Sequence, residues 1–105
     1  MAFIDNYDFE LLRNEAEKVV LGELGRQLED YSEPVCRCNE CVVDMAAMAL
    51  NAVKPLYRVS LLGSLYTASA MDEKTYATSV REAVFNSIEK VRKNPGHDVV
   101  MESEE

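Results

Sequence analysis

Apolar side chains recur at Phe9, Leu12, Ala16, Val19, Val20, Leu24, Leu28 and Tyr31, mostly in steps of three and four. That period marks the stripe of an amphipathic helix and predicts one from about Asn6 to Asp30. Asp5 or Asn6 is placed to cap its start, and Asp8 and Glu10 suit the positive end of the helix dipole. Gly22 and Gly25 each cost about 1 kcal/mol against alanine inside a helix, so a kink or a close approach is expected there. Ser32-Glu33-Pro34 ends the element.

A second helix is predicted from Asn39 or Glu40 to about Val53, with Met45, Ala46, Met48, Ala49, Leu50 and Ala52 making it apolar on most sides. Pro34 and Pro55 bracket this segment, and Pro55 stops the helix. Tyr57-Arg58-Val59-Ser60-Leu61-Leu62 alternates and carries β-favouring residues. It reads as an extended connection able to pair across a dimer, with an unpaired loop as the alternative. A third helix spans about Asp72 to Lys93, capped by Asp72, with Tyr76, Val80, Ala83, Val84, Ile88 and Val91 as its buried stripe. Lys90, Arg92 and Lys93 suit its last turn, and Asn94-Pro95-Gly96 terminates it. The expectation is one all-α domain over residues 1–96, three main helices with a Cys-rich turn before the second. An acidic tail, residues 97–105, is expected to fray.

Composition narrows the function. The chain has 105 residues, 48% hydrophobic and 29% charged, which fits one small folded domain with a thin core. Such cores are often completed by a metal or a second subunit. A first helix of about 25 residues, roughly 37 Å long, offers more apolar stripe than two shorter helices cover, so a symmetric homodimer is expected. The net charge of -8 argues against duplex nucleic acid and against an anionic membrane surface. Residues 1–35 hold nine acids and three bases, and residues 72–105 hold eight acids and five bases. Between them, residues 36–71 carry only Glu40 and Asp44 against Arg37, Lys54 and Arg58, the one stretch where an anion meets a neutral or positive surface. The start lacks the basic region of a secretion signal, and the longest uncharged run, Val59 to Met71, is too short and polar to span a bilayer. A cytoplasmic protein with reduced thiols is expected.

All three cysteines lie in Cys36-Arg37-Cys38-Asn39-Glu40-Cys41. An odd number packed into six residues does not make an extracellular disulfide framework. A short bent segment can aim several sulfurs at one point, as a tetrahedral thiophilic ion such as Zn²⁺ requires. Buried apolar thiols and a redox Cys38-x-x-Cys41 pair are the competing readings. Three sulfurs leave a fourth position. His97, the sole histidine, follows a third helix expected to run back antiparallel to the second, which returns it to the cluster. Asp44, Glu40 or water compete with it. No H-E-x-x-H motif, nucleophile elbow or glycine-rich phosphate loop occurs, so a non-enzymatic protein is expected.

Asn14-x-x-Glu17, Cys36-x-Cys38-x-x-Cys41-x-x-Asp44, Ala49-Leu50-Asn51 and Pro55-x-Tyr57 together resemble the late-competence ComFB family. The resemblance implies a small cytoplasmic helical homodimer that binds zinc, in a family named for a bacterial competence operon and including cyclic dinucleotide receptors. Leu56 stands where the family often has a second proline, and a C-terminal cysteine that can complete the zinc site is missing, with His97 in about that region. Asp44 is one turn beyond Cys41 and can orient a ligand, Asn51 can bond unpaired backbone at the end of the second helix, and Tyr57 can bury its ring. A cyclic dinucleotide needs guanidinium groups for its phosphates and a flat surface for its bases. Arg58 beside Tyr57 is the first candidate, then Arg37 and Lys54. The alternative function is a zinc-stabilised protein-interaction module of a competence or motility system, with no small ligand.

Overall fold

The computed structural model describes residues 2–59 and 73–95. In chain order these form two short 3-10 turns, Phe3–Asn6 and Phe9–Leu11, then strand β1 (Arg13–Asn14) and helix α1 (Ala16–Asp30). Helix α2 (Asn39–Ala52), strand β2 (Tyr57–Arg58) and helix α3 (Glu73–Lys93) follow. The three helices carry the fold, as the apolar periodicity predicts.

Helix α1 begins ten residues later than its stripe implies, and the reason is local hydrogen bonding. The Asn14 side-chain oxygen accepts from the Ala16 amide at 3.1 Å, which starts the helix there. Upstream, Asp8 caps a 3-10 turn by accepting from the Glu10 amide at 3.2 Å, in place of a helix cap at Asp5 or Asn6. Phe9 and Leu12 match the helical period but lie outside the helix and stay exposed. Val19 is exposed too, so the core face of α1 is Ala16, Val20, Leu24 and Leu28. The helix runs unbroken through both glycines, and a Cβ at either would meet no atom within 4 Å. The expected close approach at Gly22 and Gly25 is therefore absent among the described residues.

Against that face pack Cys41, Met45, Ala46 and Ala49 of α2, with Val53 just past its end, and Val80, Ala83, Val84, Ile88 and Val91 of α3. Every buried position named for α3 falls in or against this core, Tyr76 at its edge. Ser87, the one buried polar residue among them, donates to the Ala83 and Val84 carbonyls at 2.9 and 3.0 Å. On α2, Val43, Met48 and Ala52 face outward, so this helix is less enclosed than its composition suggests.

Long-range hydrogen bonds fix the relative directions. Gln27 donates to the Arg81 carbonyl at 3.1 Å, and Tyr31 donates to Glu89 one to two turns further along both helices, so α1 and α3 run the same way. The Tyr76 hydroxyl donates to the Lys54 carbonyl at 2.8 Å, so α3 starts where α2 ends and returns antiparallel to it. Strand β2 pairs antiparallel with β1 of its own chain, Arg13 opposite Arg58 and Asn14 opposite Tyr57. That corrects the expectation that Tyr57–Arg58 pairs across a dimer. Residues 60–62 of the alternating segment, Asp72, His97 and the tail lie outside the described residues.

Candidate metal centre

The cysteine turn bridges the C-terminal end of α1 and the start of α2. Cys38 sits at the N-cap of α2 in extended conformation, and its sulfur accepts from the Cys41 amide at 3.4 Å. Its carbonyl accepts from the Val42 amide at 3.0 Å. Cys41 therefore falls in the first helical turn, where the helix dipole favours a thiolate, and its side chain is wholly buried in the core. Cys36 and Cys38 are half-buried and pack on the same core. The three sulfurs lie within 4.8 Å of one another, and none is in a disulfide.

That geometry fits a tetrahedral thiophilic ion. Zinc–sulfur bonds of about 2.3 Å place sulfurs about 3.8 Å apart, so the trio needs to draw in by about an ångström at most. Burial, then the adjacent Cys36 and Cys38 thiols, pushes the Cys41 thiol up to about 12. Without a metal Cys41 is consequently a protonated thiol, and binding a divalent ion there expels its proton. Among the described residues no carboxylate joins the three sulfurs: Glu40 is exposed, and Asp44 makes no hydrogen bond or ion pair. Lys93 at the end of α3 lies at the cysteine end of the bundle, as the antiparallel return predicts, while His97 lies beyond the described residues.

The remaining predicted site residues divide. Arg37, between Cys36 and Cys38, donates a guanidinium N–H to the Leu28 carbonyl in the last turn of α1. It straps the cysteine turn to that helix, while the residue as a whole stays exposed. Lys54 contributes its carbonyl to Tyr76. Tyr57 and Arg58 are neighbours in a strand and so emerge on opposite faces of the ribbon. Tyr57 is 56% exposed, contrary to the expectation of a buried ring, and borders an open hollow of about 380 Å³ that Arg13 and Lys18 share with the acids Glu10, Glu15 and Glu17. Arg58 pairs with Glu15 at 3.2 Å.

Sequence reasoning missed two residues here. Asn14 is the clasp of the fold, because the same side-chain oxygen that caps α1 also accepts from the Leu56 amide at 2.7 Å. Asn51, assigned backbone bonding instead, is exposed, and its side chain makes no hydrogen bond among the described residues. The signal for Asn14 was present: Asn14-x-x-Glu17 has the spacing of a capping box. The second is Arg13, which only the strand register places opposite Arg58.

Three helices around a tri-cysteine turn, clasped at the far end by a two-strand ribbon, define a small helical protein with a candidate metal site. The family described as late competence development protein ComFB matches residues 13–95, and the chain belongs to it. A solved structure, "Structural characterization of the late competence protein ComFB from Bacillus subtilis", is similar with a TM-score of 0.63 and 27% sequence identity. The match covers 80% of this chain and 91% of that one. No curated protein sequence matches.

Proposed function

We propose that this ComFB-family chain is a cytoplasmic homodimer, stapled by Zn²⁺ on Cys36, Cys38 and Cys41, that binds a cyclic dinucleotide and acts by binding and not by catalysis. His97 is the proposed fourth ligand. The observation supporting the ligand is the pairing of Arg13 with Arg58. Residues directly opposite in an antiparallel pair share a face, and like charges so placed repel. Glu15 pairs with Arg58 and with Lys18, and Arg13 has no ion pair among the described residues, which leaves it for an anion. Two-fold symmetry would present the pair twice, matching the two phosphates of a cyclic dinucleotide. The lack of any base-stacking ring on that same strand face moves the stacking role to the exposed Tyr57 hollow or to the second subunit.

Calorimetry with cyclic di-GMP and cyclic di-AMP tests the reading. A charge-assisted contact is worth about 1.5–3 kcal/mol, so Arg58→Ala and Arg13→Ala should each weaken binding roughly ten- to hundredfold with zinc and dimeric mass retained. No heat with either ligand at tens of micromolar favours the second reading, a zinc-stabilised interaction module. That reading draws on a separate observation, the exposed apolar residues of the N-terminal segment.

A further inference from the structure

Residues 2–12 precede the family-matched region and form an arm of two 3-10 turns with no buried residue. Phe3, Ile4, Tyr7, Phe9, Leu11 and Leu12 are all exposed, and none packs on the core. The three rings contact each other, with centroids 5.0, 6.0 and 6.1 Å apart. Isolated exposed apolar residues are ordinary, but six within ten positions are a contiguous patch. With Phe3 69%, Tyr7 60% and Phe9 45% exposed, the rings alone leave roughly 350 Å² uncovered, against about 800 Å² per partner in a stable interface. The arm carries Asp5, Asp8 and Glu10 and no base.

A complementary surface lies elsewhere on the chain. An open hollow of about 470 Å³ sits between α1 and α3, lined by Gln27, Arg81, Glu82, Phe85 and Asn86. Phe85 is 49% exposed, with only one edge held by Tyr31 at 6.4 Å. Arg81 donates to the Thr78 hydroxyl at 3.1 Å and forms no ion pair among the described residues. Glu82 shares the rim and Glu23 of α1 already feels the Arg81 charge, so the match rests mainly on the rings and Phe85, with Arg81 the one base at the rim.

We infer that in the homodimer the aromatic arm of each copy seats in the α1–α3 hollow of the other, rings against Phe85 and the arm's acids toward Arg81. The inference rests on the homodimer proposed above and names its surfaces. One chain bears both halves of the contact, so a two-fold arrangement uses each twice and closes.

Sedimentation equilibrium on the full chain, zinc-loaded, tests it. Phe3→Ser/Tyr7→Ser/Phe9→Ser should weaken self-association at least about hundredfold, and Arg81→Glu/Phe85→Ser likewise. Each variant alters exposed residues, and unchanged helical circular dichroism confirms the fold. An equimolar mixture of the two variants keeps one of the two arm–hollow contacts, so its heterodimer should be about tenfold weaker than wild type, the geometric mean of the wild-type and variant constants. Dimers unaffected by the arm variant, or a mixture that fails to recover association, overturn the arm exchange and leave the homodimer standing. A wild-type chain that is monomeric at tens of micromolar overturns both.

Discussion

Replacing Asn14 by alanine removes one oxygen that serves two backbone donors at different places in the chain. The Ala16 amide, 3.1 Å away, loses its cap, a loss typically worth about 1 kcal/mol. The Leu56 amide, 2.7 Å away in a part-buried position, loses its partner as well, at about another 1–2 kcal/mol when water does not fully replace it. The expected destabilisation is about 2–3 kcal/mol, or roughly 8–20 °C in Tm for a domain of this size. Asn14→Asp keeps an acceptor at the same place and should retain most of the stability, because a carboxylate also suits a helix N-terminus. Urea unfolding at fixed protein concentration and zinc loading measures the difference through the midpoint at constant slope. A loss under about 0.5 kcal/mol in Asn14→Ala would refute the clasp and reduce the residue to a surface cap. An Asp variant as unstable as the Ala variant would instead place the amide N–H₂, and not the oxygen, in the stabilising role.

Chelating zinc should lower Tm by well over about 10 °C, since a metal held a thousandfold above its Kd contributes about 4 kcal/mol. An unchanged melt under chelator, with metal analysis confirming removal, sinks the staple. In the stripped protein, hydrogen exchange should quicken first at Leu28–Tyr31 and in the cysteine turn, while the Ala16 amide keeps its protection; uniform quickening would contradict local release. Gly22→Ala and Gly25→Ala should each raise stability by about 0.4–1 kcal/mol, as an added methyl meets nothing within 4 Å; a loss at either would mean that a second copy covers that face. The hydrogen bond from Arg26, opposed by partial burial and helped by Gln27, holds the Glu23 carboxyl below its ordinary 4.5. A depressed carboxylate stabilises above that value and loses the effect as pH falls through its folded value. The stability gap between wild type and Glu23→Gln should therefore close in acid, and a gap constant down to pH 3 would exclude this origin.

The three helices were legible because each buries a face at a period of 3.6, and Val80, Val84, Ile88 and Val91 could hardly be arranged otherwise. The first helix was read too long because periodicity counts spacing, not burial. Phe9 and Leu12 continue the stripe numerically, yet Asn14 takes the Ala16 amide and β1 takes the register of β2. A two-residue ribbon between segments some forty positions apart leaves no local signature. The cysteine cluster was legible for the opposite reason: six residues cannot separate three sulfurs far, so proximity follows from the sequence itself. The bond from Arg37 was not legible, because nothing in its neighbourhood announces the Leu28 carbonyl nine residues back.

Helix α1 is fastened at its two ends by different chemistry, and this bears on how the domain holds together. At its start Asn14 ties it to the chain leaving α2 through neutral hydrogen bonds that need no metal. At its end Arg37 ties it to the cysteine turn, whose backbone is fixed only as firmly as the sulfurs on either side of that arginine. With the sulfur of Cys41 wholly buried in the core, a metal ion would join the half-buried part of the turn, Cys36 and Cys38, to that fixed point. The strap then holds the last turn of α1 against α3, where Tyr31 reaches Glu89. Metal occupancy would thereby be linked to the α1–α3 seam, the wall of the hollow that receives the arm in the proposed dimer. A staple remote from the interface can thus stabilise the dimer without touching it.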